Sequence, residues 1–312
     1  MMKKFFEQEI RYGVNSKLYY SMTVFLIVLF GVTLFLNYSS VMDTYNDYQS
    51  TIDYYEKNDL DIEADLKSGY EIEENQKGGM IRNPIAYHKE NVGRYLYAAS
   101  PNYTLSQLFE SSILYFPVVF GILGLLIATN DYKYKTIKSK TVRMNKFTFG
   151  LNKQLSIAVS SFFILLFGLI AAFIAGWVMY SILSNKIPTD EFQFAGSLTE
   201  ASIIMKFLFA YILAVIFAEL GYTLGILFKN VYAGMIAIIV YIFILPNLGL
   251  FDLKNAIYYF ANQVFEFYGV VSIEAPIQST NGIIAGLTIL SVLLIAFFTN
   301  ILVIKKRSSF ET

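Results

Sequence analysis

Cysteine is absent from the 312 residues, and histidine occurs once, at position 88. The chain therefore has no disulfide framework, no thiolate nucleophile and no cysteine-ligated zinc. A metal site would have to be built almost wholly from carboxylates. Charge is scarce as well: 15% of residues are charged, where an ordinary soluble domain has about 25%. The sequence contains no G-x-x-x-x-G-K-[ST] phosphate loop, no H-E-x-x-H and no G-x-S-x-G. Nucleotide binding through a phosphate loop, zinc proteolysis and serine-hydrolase chemistry are thereby excluded. The paired acids Glu73 and Glu74 lie in a polar stretch between apolar runs and suggest no catalytic role.

What the chain does have is hydrophobicity: 55% of residues are apolar, and the mean hydropathy is +0.49. Crossing a bilayer as a helix takes roughly 20 mostly apolar residues. Six stretches meet that length: residues 18–37, 107–128, 155–184, 203–228, 231–250 and 283–304. The expected fold is an all-α polytopic membrane protein with six transmembrane helices. Residues 1–17 do not read as a cleavable signal. Phe6, Ile10, Val14 and Leu18 recur at spacing four, which suits either an amphipathic interfacial helix or a continuation of the first span. Gly13 and Asn15 favour a bend between the two.

Charge orients the bundle, because short loops rich in Lys and Arg stay cytoplasmic. Lys3, Lys4, Arg11 and Lys17 precede the first span, and Lys305, Lys306 and Arg307 follow the last in the tail 305–312. Residues 38–106, by contrast, hold twelve acids and six bases. Both termini are expected inside, with residues 38–106 forming a mainly helical extracellular insertion. Val41, Tyr45, Tyr48, Ile52 and Tyr55 make a heptad-like seam there, so the first helix should run on outward and pack against a partner stripe. A mobile acidic loop is the alternative. Residues 185–202 form an outer loop. Residues 251–282 carry Leu253, Ile257, Phe260, Val264 and Phe267 at the same spacing, as expected of an outer surface-lying or re-entrant helix.

Within the spans, Glu219 stands alone near the midplane, where a carboxyl by default marks a polar pathway or a specific partner. Tyr222 or Thr223 could hydrogen-bond it, and a neutral carboxyl joining helices is the alternative. Glu110 and Lys206 lie near span ends and are expected to reach the outer interface by snorkelling. Pro117 should kink the second span. Gly121 and Gly124, and Gly221 and Gly225, offer close helix packing.

One segment concentrates positive charge. In "NDYKYKTIKSKTVRMNKF", residues 130–147, Lys133, Lys135, Lys138, Lys140, Arg143 and Lys146 face a single acid, Asp131. Retention on the cytoplasmic side explains the charge, and an anionic-lipid patch would also use it. Neither explains the interleaved Thr136, Ser139 and Thr141 or the apolar Ile137, Val142, Met144 and Phe147. These suit a short amphipathic helix at the cytoplasmic surface, within a loop spanning residues 129–154.

Extended as "ATNDYKYKTIKSKTVRMNKFTFGLNKQL", the segment resembles ABC-2 type transporter permeases, as does the layout of the whole chain. In that family an acidic–aromatic pair leaves the second span, a Gly–Thr step follows, and a basic residue precedes a lysine opening the third span. Asp131-Tyr132, Thr136, Arg143 and Lys153 occupy those places, with Lys135 where the glycine would be. The resemblance implies that the loop is a coupling helix docking on a separate ATPase, with Asp131, Tyr132, Lys135, Thr136, Lys138, Arg143 and Lys146 at the contact. It further implies two ATPase copies, which bind the ATP and Mg, and a second permease subunit, identical or not. Spans two and five would line the path, with Glu219, Pro117 and Tyr222 on the substrate path or in helix packing. On this reading the chain sits in the plasma membrane, binds no cofactor, metal or nucleic acid and catalyses nothing itself. It moves a peptide, antibiotic or lipid-like compound outward. Two other classes compete: a membrane sensor or assembly protein whose outer insertion binds a ligand or partner, and an ion-coupled carrier using Glu219. The carrier reading lacks internal repeats.

Overall fold

The structure, a computed structural model, describes residues 2–75, 78–133, 140, 145–194 and 201–307. It is mainly helical. Five of its helices are long and apolar enough to cross a membrane. In chain order, α1 (Met2–Asn15) leads into α2 (Leu18–Lys57), and α3 (Ile62–Ser68) follows. Strands β1 (Glu71–Asn75) and β2 (Gly78–Arg82) come next, then α4 (Pro84–Ala99), α5 (Pro101–Glu110) and α6 (Ser112–Lys133). The chain continues with α7 (Lys146–Ser184), α8 (Ile203–Phe228), α9 (Val231–Ile239), α10 (Leu253–Val264) and α11 (Gly282–Arg307).

The α1–α2 joint is a true corner. Lys17 adopts a left-handed conformation, φ 59°, between the two helices, so α1 is not the start of α2. Gly13 sits under the ring of Tyr19, where any side chain would collide with it. Beyond the corner α2 runs unbroken for 40 residues, about 60 Å at 1.5 Å per residue.

The distal half of α2 is held by the seam legible in its sequence. Val41, Tyr48 and Tyr55 are buried against Ile85, Val92 and Leu96 of α4 and against Leu183, Ile187 and Phe192, with Tyr45 and Ile52 partly buried beside them. The rings of Tyr45 and Tyr48 both meet Phe192 edge-on. Residues 38–106 also contain an antiparallel hairpin, which helical periodicity does not register. Glu71 pairs with Arg82 and Ile72 with Ile81.

The main core lies among α2, α5, α6, α7, α8 and α10. Its tightest seam joins α6 to α8. A methyl group on Gly124 would come within 1.9 Å of the Ala218 carbonyl oxygen, so the two backbones touch. The two glycine pairs of the sequence are thus consumed by packing within the chain. Pro117 is buried inside α6, whose helix continues through it, and a separate break falls earlier, at Ser111.

One expected span is corrected. Residues 231–250 do not form a 20-residue helix: α9 passes into a π turn at Val240–Ile244 and stops. Those 14 residues cover about 21 Å, short of the roughly 30 Å apolar core of a bilayer. Leu245 is extended, the conformation that a following proline favours, and Pro246 has no N–H to continue the ladder. Gly249, at φ 128°, lies in the turn that precedes α10.

Backbone leaving a helix in apolar surroundings needs partners, and the first turn of α10 supplies them. Lys254 Nζ donates to the carbonyls of Leu245 and Pro246. Asp252 accepts from the Leu248 N–H at 2.7 Å, the Lys254 N–H at 3.0 Å and the Tyr241 hydroxyl. Asn255 accepts from the Ile277 N–H at 2.9 Å and donates to Thr280 at 2.7 Å. Side chains at the start of α10 therefore staple the broken stretch that joins it to the half-length helix.

Candidate functional site

Four charged side chains close a ring where α1, α6 and α7 meet. Lys140 Nζ donates to Glu9 Oε1 at 2.7 Å and Asp131 Oδ1 at 2.8 Å. Lys153 Nζ lies 2.5 Å from Glu9 Oε2 and 2.6 Å from Asp131 Oδ2. Each carboxylate thus bridges both lysines, and the ring is neutral. Glu9, Asp131 and Lys153 are buried, and the Lys140 side chain is 23% exposed. A buried pair in this geometry adds little net stability, but removing one member strands a charge. The ring acts as a clasp that fixes α1 and Lys140 against the ends of α6 and α7.

The residues expected to contact an ATPase divide around this clasp. Asp131 faces inward and is spoken for. Lys229 lies over the Tyr132 ring at 5.5 Å, and Lys146 Nζ donates to the Lys305 carbonyl at 3.1 Å. Lys135, Thr136, Lys138 and Arg143 lie outside the described residues. Lys153 belongs to the clasp.

Sequence reasoning missed Glu9. It falls on the Gly13 side of α1, opposite the exposed Val14, and the signal was an acid on the side away from the apolar repeat. That repeat, Phe6, Ile10, Val14 and Leu18, is only partly covered by the bundle.

A second buried cluster corrects the expectation for Glu110 and Lys206. They do not reach outward to an interface: their relative exposures are 0% and 4%. Lys206 Nζ donates to Glu266 Oε1 at 2.9 Å, Glu266 Oε2 at 2.7 Å and Ser106 Oγ at 3.0 Å. Glu110 accepts from the Tyr103 hydroxyl and from the Phe267 N–H at 3.1 Å. Lys206 thus finds all its partners inside the protein, whereas Glu110 Oε2 is buried with no hydrogen-bond partner among the described residues. Burial and then the nearby Glu110 raise the Tyr103 phenol above its ordinary value, which keeps it a hydrogen donor. Tyr97, Tyr103, Phe194 and Tyr268 pack their rings together above the cluster. Glu266, in an irregular stretch after α10, carried no signal that it would pair with Lys206.

Glu219 is buried as its sequence context required, but its partner differs from the expected Tyr222 or Thr223. Asn300 Nδ2 of α11 donates to Glu219 Oε2 at 3.1 Å. The Thr223 hydroxyl turns instead to the Glu219 backbone carbonyl, at 2.8 Å. Tyr222 is buried beside Ala128 and Asp131. The signal for Asn300 was an amide in the apolar run "FFTNILVI".

Between α8, α9 and α11 lies an apolar cavity of about 680 Å³, bounded by Phe217, Leu224, Ile238, Tyr241, Phe251 and Val292. Its polar lining comes from Thr223, Tyr241 and Asp252. The π turn and the stretch after it form one wall, so the same break that shortens α9 also creates the space. Among the described residues, no group of three or more His, Asp or Glu side chains could hold a metal ion. Nothing matches the chain among protein-family models, curated proteins or solved structures.

Proposed function

We propose that this chain is the permease subunit of an ATP-driven exporter of the ABC-2 type, working with two copies of a separate ATPase and a second permease subunit in the plasma membrane. The observation that carries the reading is the clasp of Glu9, Lys140, Asp131 and Lys153. A basic loop that merely retained its side of the membrane would need no buried anchor. A loop that receives force from a partner does, because a push on it must reach the helices rather than be absorbed locally. The clasp ties the loop to α1, α6 and α7, and α6 in turn lies backbone to backbone on α8.

On this reading Asp131 and Lys153 hold the loop, and Tyr132, Lys135, Thr136, Lys138, Arg143 and Lys146 form its partner-facing part. The cytoplasmic side carries α1, the loop and the tail. The α2 extension through α5 projects outward. α2, α6, α7, α8 and α11 cross the bilayer, and α9 with α10 makes a sixth passage as one broken helix, which ends at the Lys206–Glu266 pair on the outer side and lets α11 return the tail to the cytoplasm. The apolar cavity beside that break favours a lipid-like or otherwise apolar substrate over a highly charged one.

The test is copurification with an ATPase and ATP-dependent transport in vesicles. Lys138→Glu and Arg143→Glu should abolish ATP-driven flux while the protein still inserts and folds. Full ATPase binding after deletion of residues 134–139 together with 141–144 would overturn the coupling role. The insertion has a core of its own, which favours a second reading as a sensor or assembly protein. A pull-down that recovers an outer partner and no nucleotide-binding protein would select it.

A further inference from the structure

The cluster joining α5, α8 and the stretch after α10 holds one more negative charge than it has cations to balance. The ionisable groups facing it are Glu110 and Tyr103 of α5, Lys206 of α8, Glu266 and Tyr268 after α10, and Tyr97 of α4. Lys206 has three N–H bonds and three acceptors, Ser106 Oγ and both oxygens of Glu266. It is therefore fully used as an ammonium, and the ion it pairs with is the Glu266 carboxylate.

Glu110 is left over. Its Oε1 accepts two hydrogen bonds, from Tyr103 and Phe267, while its Oε2 is buried with no hydrogen-bond partner among the described residues. Gln107, one turn earlier on α5 and 0% exposed, has neither amide atom hydrogen-bonded among them. The Tyr103 oxygen adds a constraint. It lies within hydrogen-bonding range of Glu110 Oε1 and, at 3.3 Å, of Glu266 Oε2, yet the hydroxyl has one proton to give. With both acids ionised, one of these contacts sets lone pair against lone pair. A buried charge without a counter-ion costs several kcal/mol, and such a group ordinarily takes up a proton instead.

We infer that this cluster is a proton-binding site: the Glu110 carboxyl holds the proton, and its loss at rising pH loosens α5 from residues 266–269. Protonation removes the excess charge. It also supplies the hydrogen that the facing oxygens of Glu110, Tyr103 and Glu266 otherwise lack. The site joins the insertion to the helices, so its occupancy sets how firmly the two are coupled. The inference holds whether or not the chain is a transporter.

Infrared titration of the purified full-length chain in nanodiscs tests it, with glutamate carboxyl groups carbon-13 labelled and Glu219→Gln as background. A protonated glutamate carbonyl band should be present at neutral pH and vanish on alkaline titration. Glu110→Gln should abolish the band, and Tyr103→Phe, which deletes a hydrogen bond to the same carboxyl, should shift it. Absence of the band at neutral pH, or its persistence in Glu110→Gln, overturns the inference. A second measurement, stability against pH, uses the same Glu219→Gln background. The folded state holds the proton more tightly than the unfolded chain, so in that background stability with Glu110 intact should fall as pH rises above the ordinary carboxyl range. The fall should be up to tenfold in the folding constant per pH unit, until the folded state also releases the proton. Glu110→Gln should remove that slope. An identical slope in both proteins would also count against the site.

Discussion

Gly221 of α8 lies directly on Gly121 of α6: a methyl group added to Gly221 would stand 2.0 Å from the Gly121 carbonyl oxygen. Such contact is possible only without a side chain, and it makes the α6–α8 pair the closest in the bundle. Gly221→Ala and Gly124→Ala should each destabilise the protein by about 1–3 kcal/mol or force the helices apart. Gly31 of α2, which faces open space, is the control. Gly31→Ala should be neutral or stabilise by about 0.5–1 kcal/mol. Thermal unfolding of the three variants in one detergent decides the matter, and equal midpoints would refute the packing argument.

The clasp predicts unequal costs for its two lysines. Lys153 is buried, so Lys153→Met leaves two buried carboxylates to share Lys140 and should cost about 3–5 kcal/mol. Lys140 is partly exposed, and water can compensate for its loss, so Lys140→Met should cost less. Melting temperatures of the two variants give the comparison directly. A larger loss for Lys140→Met would contradict the geometry.

Lys206 and Glu266 form a pair whose members are worth more together than apart. Lys206→Met alone leaves two buried acids without a cation and should sharply reduce folded yield. Lys206→Met combined with Glu266→Leu removes both charges, and the double variant should recover part of that loss. Monodisperse yield by size-exclusion chromatography measures the recovery. A double variant worse than the sum of the singles would mean that the pair is not coupled as described.

Glu219 and Asn300 set a test between structure and transport. Asn300 Oδ1 is buried with no hydrogen-bond partner among the described residues. A glutamine at 219 keeps an acceptor for Asn300 Nδ2 and adds a donor for that oxygen. Glu219→Gln should therefore leave stability unchanged or raised, while Asn300→Leu should lower it by about 1–3 kcal/mol. If transport is driven by ATP, Glu219→Gln should also retain flux. Its complete loss, with folding intact, would favour the ion-coupled reading.

The long apolar helices were legible because hydropathy is additive along a segment and asks nothing of distant residues. The α2 seam was legible for a related reason: Val41, Tyr48 and Tyr55 repeat at the helical period, whatever covers them. The short α9 was not, since its apolar run continues past the point where the helix ends. What stops it is Pro246 together with Asp252 and Lys254, charged residues that read as the start of a polar loop. The ion clusters show the same limit. Glu9 finds Lys153 across 144 positions, and Lys206 finds Glu266 across 60. A sequence displays each charge and its cost in an apolar setting, but not the residue that relieves it. Glu219 was thus recognisable as a buried carboxyl, and Asn300 as its partner was not.

The unbroken α2 has a mechanical consequence. A helix that passes from the Lys17 corner to Lys57 without a hinge moves as one stiff rod, with α7 beside its near half and α4 against its far half. Pivoting such a rod of about 60 Å by about 5° at its near end sweeps the other end through about 5 Å. Small rearrangements around the clasp are thereby magnified at the insertion. Equally, a molecule gripping the insertion gains leverage over the corner where α1 begins.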